Sequence, residues 1–115
     1  MEIFLATLDK KLRRKLRRQF FLLANAGLNE LTEPHYKHFV LEKYSQFYEL
    51  REKGRILVRV IFVIRDGDIL LLAPFVKRQP RDTMRALEWS LSMLAELREH
   101  PEYAEDYDFS REVEP

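Results

Sequence analysis

Hydrophobic positions near the start of the chain predict an amphipathic helix. Its apolar residues recur at intervals of four, four and three, the spacing of one helical face, and are Leu12, Leu16, Phe20 and Leu23. Asp9 suits the N-cap of this helix and Gly27 its end, and a linker punctuated by Pro34 follows. The short apolar run before the cap, residues 3–8, is interpreted as a first strand.

The middle of the chain predicts strands joined by a tight turn. Residues 47–53 (FYELREK) and the β-branched run of residues 56–64 (ILVRVIFVI) both favour strands. Asp66 and Gly67 supply the Asp-Gly pair typical of a type I′ turn, after which residues 69–77 (ILLLAPFVK) return as the partner strand. The pattern therefore predicts an antiparallel sheet.

Arg59 is the charged residue that interrupts the apolar strand before the turn. A two-residue loop places Ile64 opposite Ile69 and Arg59 opposite Pro74, unless a bulge shifts the register. A guanidinium in such a strand must be paired or lie on an open face. Two interpretations follow: an ion pair with a neighbouring acid such as Glu49, or an exposed guanidinium that binds a phosphate.

A second helical stripe follows the sheet. Pro80 suits the first turn of this helix, which ends before His100 and Pro101. Its apolar residues recur at intervals of three, four and three and are Met84, Leu87, Leu91 and Leu94. Trp89 lies outside the stripe and is interpreted as a core residue facing the sheet, with stacking on a nucleic-acid base as the alternative. Two or three helices on one face of a small, mainly antiparallel sheet predict an α+β fold.

Length and composition restrict the class of protein. With 115 residues, 46% of them hydrophobic, we expect one domain over residues 1–100 and an acidic tail, loosely ordered, over residues 101–115. The chain has no cysteine, which excludes disulfides and thiolate metal sites and fits a reducing compartment. No stretch approaches the roughly 18 apolar residues of a membrane span. Basic residues follow the first apolar run instead of preceding it, which is the wrong order for a signal peptide. We therefore expect a soluble, cytoplasmic protein.

The net charge of +1 conceals an uneven distribution. Residues 1–98 hold 19 Lys and Arg against 12 Asp and Glu, a balance of +7, whereas residues 99–115 hold one Arg against seven acids, a balance of −6. Seven of the nine residues 10–18 are basic. A basic surface of this kind attracts phosphate polymers. An equally good interpretation is that these charged residues are merely solvated surface. The acidic tail suggests a further hypothesis, that it folds back over the basic surface and competes with RNA.

Four motifs in order resemble the RelE/ParE superfamily of toxins, and in particular its HigB-like, phage-derived branch. They are residues 34–37 (PHYK), 47–51 (FYELR), 58–62 (VRVIF) and 71–78 (LLAPFVKR). The branch typically shows P-H-x-K, L-Y-E-L-R, Y-R-V-F-Y and I-V-L-L-H-x-F-x-K-K in the same order. The resemblance extends over roughly residues 30 to 90 and rests on the combination of motifs, because no single one is specific.

The resemblance implies both a fold and an activity. The fold has N-terminal helices on one side of a curved antiparallel sheet and a C-terminal helix. The activity is that of a toxin of a type II toxin–antitoxin system, which stops translation by cutting mRNA in the ribosomal A site. Its partners would be the ribosome, mRNA and a cognate antitoxin, expected to be a helix-turn-helix protein, with no membrane partner.

The resemblance also implies site residues. The catalytic positions are Arg59, Lys77, Arg78 and Arg81, and those for binding RNA or the ribosome are Arg51 and Lys37. In a ribosome-binding toxin the basic helix adds phosphate contacts, for which the candidates are Arg13, Arg14 and Arg17. Without cysteines, and with the histidines scattered at 35, 38 and 100, we expect no metal site and no cofactor. Cations would then stabilise the phosphorane, and other groups would have to move protons.

Departures from the family pattern keep other functions open. The histidine of L-L-H-x-F is Ala73 here, the tyrosine of Y-R-V is Val58, and the usual C-terminal tyrosine or histidine has no clear counterpart. Candidates for proton transfer are Tyr48, His38, Tyr103 and Tyr107. The alternatives are a ParE-like inhibitor of DNA gyrase, or a catalytically weakened relative that acts only by binding its antitoxin. Whether the chain is an enzyme therefore stays open at this point, with an endoribonuclease as the leading hypothesis.

Overall fold

A four-stranded antiparallel sheet separates two helical layers. The structure is a computed structural model and describes residues 1–25 and 35–110. In chain order its elements are α1 (Glu2–Ala6), α2 (Lys10–Asn25), β1 (Tyr36–His38), β2 (Phe47–Lys53), β3 (Leu57–Arg65), β4 (Asp68–Lys77) and α3 (Pro80–Glu99). The strands pair in the order β1-β2-β3-β4. The predicted α+β fold is confirmed, with N-terminal helices, a curved antiparallel sheet and a C-terminal helix. None of the helices in the described residues is both long enough and apolar enough to cross a membrane.

The first apolar run forms α1, so the predicted strand over residues 3–8 is wrong. Leu5 and Leu8 are buried, whereas Ile3 is exposed. Buried positions three residues apart follow the period of a helix, whereas a strand would bury every second residue. The run is too short for its sequence to distinguish the two periods, and packing against α2 decides between them.

The amphipathic helix α2 forms as its hydrophobic pattern predicts. The backbone N–H of Leu12 donates a hydrogen bond of 2.9 Å to Oδ1 of Asp9, which confirms the predicted N-cap. All four apolar residues of the stripe are buried. The predicted end at Gly27 and the linker around Pro34 lie outside the described residues.

The two faces of the sheet pack against different helices, so the expectation that all the helices lie on one face is wrong. One side, the α2 face, carries Leu50, Val60 and Phe62 and packs against α1 and α2. The opposite side, the α3 face, carries Phe47 and Ile61 and packs against α3. Because side chains alternate between the faces of a strand, the long apolar strands β2 and β3 serve both layers.

The β3–β4 hairpin contains the predicted turn and one additional irregularity. Asp66 and Gly67 have φ angles of 51° and 83°, and Ile64 pairs with Ile69, as the Asp-Gly turn predicts. The predicted pairing of Arg59 with Pro74 is wrong, because a register shift between Ile61 and Phe62 places Arg59 opposite Phe75 instead. The shift is a β-bulge, which adds one residue to β4 and reverses its alternation from that point to its end.

Helix α3 begins and ends where the sequence predicts. Pro80 occupies the first turn, and Gln79 and Asp82 form a capping box. The buried side consists mainly of small and branched residues: Ala86, Leu87, Ser90 and Leu94. Met84 and Trp89 are exposed, so the interpretation of Trp89 as a core residue is wrong. The small Ala86 and Ser90 form the contact with the sheet in place of the larger indole.

The described part of the acidic tail, residues 101–110, folds back onto α2. After a 3-10 turn at Pro101–Tyr103, Tyr107 packs edge-on against Phe20, with ring centroids 5.3 Å apart. Its hydroxyl accepts a hydrogen bond of 2.6 Å from Nη1 of Arg17. The tail is therefore anchored to the N-terminal layer, on the side of the sheet away from α3.

Candidate functional site

The register of the sheet gathers five cationic side chains on the α3 face. Residues directly opposite in an antiparallel pair, and residues two apart along one strand, point to the same side. In this sheet Lys37 lies opposite Glu49, Arg51 opposite Arg59, and Lys77 opposite Leu57. We define the cationic face as this end of the α3 face, with the basic residues Lys37, Arg51, Lys53, Arg59 and Lys77.

The bulge in β4 is what includes Lys77 in the cationic face. Without it, the two-residue turn would continue its register and place Lys77 opposite Ile56, on the α2 face. The extra residue shifts Phe75 and Lys77 to the side of Arg59. The sequence predicts the arginine and the lysine separately, but their common face depends on this irregularity.

Glu49 forms the centre of the cationic face and contacts two of its arginines. Nε of Arg51 donates a hydrogen bond of 2.9 Å to Oε1 of Glu49, and Nε of Arg59 lies 3.5 Å from the same oxygen. The exposed fractions of the side chains are 1% for Glu49, 12% for Arg59 and 25% for Arg51. Of the two interpretations of Arg59, the structure therefore shows the ion pair with Glu49.

The environment of Arg59 is unfavourable for its charge. Burial lowers the pKa of the Arg59 guanidinium, Glu49 opposes this effect, and the facing Arg51 adds to it. Nη1 of Arg59 also donates a hydrogen bond of 3.2 Å to the carbonyl oxygen of Val58. Within the described residues, neither Oε2 of Glu49 nor Nε of Arg59 has a hydrogen-bond partner. Arg59 is thus held in place, and Arg51 is the more accessible of the two guanidinium groups.

Arg78 and Arg81 extend the basic surface from the end of β4 onto the start of α3. Both side chains are exposed. Among the described residues, no carboxylate lies within 4.0 Å of either guanidinium. Asp82 instead accepts hydrogen bonds from the backbone N–H groups of Arg78 and Gln79, which lower the pKa of its carboxyl group. The carboxylate next to these arginines therefore serves the helix cap.

The arginines of α2 lie in a different layer from the cationic face. Arg17 forms an ion pair of 2.7 Å with Glu2 and a hydrogen bond with Tyr107, and these contacts raise the pKa of its guanidinium. Nη1 of Arg13 donates a hydrogen bond of 3.0 Å to the carbonyl oxygen of Leu8. Arg14, on the same helix, is half-buried. The structure thus separates the predicted RNA-binding residues into two groups, with Lys37 and Arg51 on the cationic face and the α2 arginines on the opposite layer.

The aromatic and imidazole candidates for proton transfer do not lie on the cationic face. Tyr48 stacks on Phe62, which belongs to the α2 face, and His38 stacks on Tyr48 with ring centroids 4.5 Å apart. Tyr107 packs on α2, as described above, and Tyr103 stacks on His100 beyond the end of α3.

The two residues that depart from the family pattern within the strands, Val58 and Ala73, are both buried. Val58 lies in the α2 face, and Ala73 lies opposite Ile61 in the core beneath α3. In the described residues, no group of three His, Asp or Glu side chains is arranged to hold a metal ion.

Sequence reasoning missed a polar connection between α3 and the 3-10 turn Glu42–Tyr44, which joins β1 to β2. The hydroxyl of Tyr44 donates a hydrogen bond to Glu88, and Nζ of Lys43 forms a 3.0 Å ion pair with the same carboxylate. These contacts lower the pKa of Glu88 and raise those of Tyr44 and Lys43. The partners are 44 residues apart, so no local pattern could have indicated the contact.

Comparison with known proteins is consistent with this architecture. The family model described as phage-derived protein Gp49-like (DUF891) matches residues 3–88, about three quarters of the chain. The searches of curated proteins and of solved structures gave no match. The matched family is associated with the toxins of toxin–antitoxin systems, whose partner is an antitoxin. The chain therefore belongs to the phage-derived Gp49-like family, within the RelE-like group of toxins.

Proposed function

We propose that this chain is the toxin of a type II toxin–antitoxin system and that it inhibits translation by binding and cutting mRNA on the ribosome. The observation that carries the proposal is the sheet register, which places Lys37, Arg51, Arg59 and Lys77 on one face. The resemblance of its motifs supports the further proposal that it belongs to the HigB-like branch of the family and that its cognate antitoxin is a helix-turn-helix protein.

The charge balance of the cationic face suits a polyanion. Its five basic residues oppose the carboxylate of Glu49, and Arg78 and Arg81 add two exposed guanidinium groups at its border. Arginine binds phosphate oxygens with two parallel hydrogen bonds, whereas lysine acts as a compact point charge. Arg51 and Lys77 are the residues that we assign to direct phosphate contact, because the side chain of Arg51 is 25% exposed and that of Arg59 only 12%.

Cleavage without a metal ion requires charge stabilisation and two proton transfers. The 2′-oxygen of the RNA loses its proton and attacks phosphorus, and the 5′-oxygen leaves and gains a proton, which gives a 2′,3′-cyclic phosphate and a 5′-hydroxyl end. Cations positioned at the phosphorane stabilise its additional negative charge, usually the largest single contribution to catalysis. Lys77, Arg51, Arg78 and Arg81 supply these cations.

The proton transfers require groups that the cationic face does not itself present. Among the described residues of this face the one carboxylate is Glu49, and it is 1% exposed and bound to two arginines. We therefore propose that the ribosome supplies the groups that move protons, which makes cleavage dependent on the ribosome. Free mRNA is then a ligand but not a substrate.

The ion pair between Arg59 and Glu49 also favours a second candidate function. A protein that binds ribosomal mRNA or its antitoxin without cutting RNA needs the cations but no acid or base. This candidate explains two features of the structure. Arg59 contacts Glu49, and a buried alanine, Ala73, stands at the position of the family histidine.

A reconstituted translation reaction separates the two candidates. mRNA is incubated with the protein in the presence or absence of ribosomes, protein synthesis is measured, and the new RNA ends are mapped. We expect cuts within codons only when ribosomes are present. Lys77→Ala should reduce the cutting at least tenfold, whereas Arg98→Ala, an exposed arginine at the far end of α3, should not.

The remaining outcomes lead to different conclusions. Blocked synthesis with intact mRNA supports the binding-only candidate. Unimpaired translation, combined with a DNA-damage response on expression in bacteria, overturns both candidates in favour of gyrase inhibition.

A further inference from the structure

Trp89 is an exposed aromatic residue on the outer surface of α3. Its side chain is 53% exposed, and it is the only tryptophan of the chain. Within residues 1–25 and 35–110, no ring packs against the indole, and no cation lies over it. Large aromatic side chains normally bury most of their surface, so an indole that is about half exposed is available to a ligand.

Two exposed arginines precede Trp89 on the same side of the helix. Arg81, Arg85 and Trp89 follow each other at intervals of four residues, one helical turn apart, and span about 12 Å along the axis. Arg81 directly follows the basic border of the cationic face, since Lys77 and Arg78 lead into α3. A continuous basic path therefore runs from the sheet to the open indole.

The acids of this part of α3 have other partners. Asp82 accepts hydrogen bonds from the backbone of the helix cap, and Glu88 is bound by Tyr44 and Lys43. The charge of Glu88 is therefore balanced by Lys43, and Asp82, which is bound at the helix cap, is outnumbered by the two arginines. The two arginines consequently give this helix surface a positive potential.

We propose that Arg81, Arg85 and Trp89 form a binding site for single-stranded RNA, in which the indole stacks on a base and the arginines bind the adjoining phosphates. The proposal rests on the proposed function, in which RNA is the target, and gives that RNA a contact outside the cleavage region. Stacking on an aromatic side chain tolerates any base, so the site adds affinity without selecting a sequence. The two arginines on the same side of the helix favour a phosphate polymer as the occupant, because the basic path from the cationic face leads through them to the indole.

The single tryptophan makes the site directly observable. The protein is titrated with an eight-nucleotide oligoadenylate while the fluorescence of Trp89 is recorded, and binding of a labelled copy of the same RNA is measured by anisotropy. We expect quenching that saturates with the same dissociation constant as the anisotropy. Trp89→Ala should weaken binding about 5- to 150-fold, which corresponds to the loss of one stacked base.

Matched variants separate stacking from folding and from charge. Trp89→Phe retains an aromatic face and should bind within about threefold of the native protein, and Tyr103→Ala removes another exposed ring and should bind normally. Arg81→Ala combined with Arg85→Ala should reduce the slope of log K against log salt concentration by about 1.4. Circular dichroism of each variant verifies that it is folded.

Two results would overturn the assignment. One is a folded Trp89→Ala variant with unchanged RNA affinity. The other is an indole emission that ignores RNA but changes when the cognate antitoxin is added, because it makes Trp89 a protein contact. Neither measurement involves ribosomes, so the two proposals fail separately. If mRNA is cut within codons but RNA does not quench the Trp89 fluorescence, only the Trp89 site is refuted. If RNA quenches the fluorescence but the protein has no effect on translation, only the proposed function is refuted.

Discussion

Replacing Glu49 with glutamine should lower stability and raise RNA affinity at the same time. The carboxylate of Glu49 lies against two guanidinium groups, those of Arg51 and Arg59, which face each other across β2 and β3. Glutamine retains the volume and the acceptor oxygen of Glu49 but removes its charge. The two arginines would then repel each other in a partly buried environment, whereas an RNA phosphate would meet one additional uncompensated cation.

The expected loss of stability follows from the burial of the three groups. Removal of one partner from a buried ion pair costs about 3–5 kcal/mol. Because the Arg51 side chain is 25% exposed and can regain hydration, we expect the lower end of that range, about 3 kcal/mol. For a chain of this size such a loss lowers the melting temperature by roughly 10 °C.

Urea unfolding and RNA binding, measured on the same preparation, test both effects. The matched control is Glu52→Gln, because Glu52 lies on the opposite face of the same strand and its closest side-chain partner is the neutral Gln19 at 3.3 Å. We expect this control to lose less than about 1 kcal/mol. For Glu49→Gln, the slope of log K against log salt concentration for single-stranded RNA should steepen by about 0.7.

A double-mutant cycle with Arg59→Met identifies the cause. If Glu49 neutralises Arg59, the double variant should be more stable than the sum of the two single losses predicts. The reasoning is refuted if Glu49→Gln changes the free energy of unfolding by less than about 0.5 kcal/mol, or if stability and RNA affinity fall together.

Three further predictions concern stability. Tyr107→Ala should cost about 2 kcal/mol in urea unfolding, and Tyr107→Phe about half of that, since the phenylalanine keeps the ring and loses the hydrogen bond from Arg17; a Tyr107→Phe variant as stable as the native chain would contradict a role for the hydroxyl. In the folded protein the pKa values of Asp82 and Glu88 lie below their ordinary values of 3.8 and 4.5. The two ionised carboxylates therefore stabilise the fold above the ordinary pKa values, and this contribution is lost as the pH falls through the lower pKa values of the folded state. Acid titrations of Asp82→Asn and Glu88→Gln should accordingly show a smaller loss of stability below about pH 4 than the native chain, and an unchanged loss would contradict the assignment. Gly67→Ala should lower the free energy of unfolding by about 1–2 kcal/mol, because φ at this position is +83°. A variant whose thermal unfolding is unchanged would contradict this prediction.

Features of the fold that depend on local sequence could be predicted well. The spacing of the stripe on α2, the cap at Asp9, the Asp-Gly turn and Pro80 at the start of α3 each follow from the residues themselves, and the structure confirms them. The short N-terminal run was predicted wrongly, because six residues do not distinguish a helical period from a strand period, and contact with α2 decides the outcome.

The candidate site was less predictable because its geometry depends on contacts between elements. The run of residues 69–72 (ILLL) has no polar position, so nothing in it indicates where the alternation of β4 reverses. Glu49 could be named as a possible partner of Arg59, but its simultaneous contact with Arg51 requires the three-dimensional register. The side of α3 that packs is set by the fit of Ala86 and Ser90 to the sheet, which leaves Trp89 outside.

The single extra residue in β4 makes the chemistry of this protein dependent on how many residues the strand contains. Deletion of one leucine between Ile69 and Ala73 would leave the hydrophobic content of the strand almost unchanged, yet it would turn Phe75 and Lys77 toward α2. An ammonium group would then enter an apolar layer, and the cationic face would lose one of its five basic residues. A chain that is shorter by one residue at this point would therefore match in composition and still present a different charged surface.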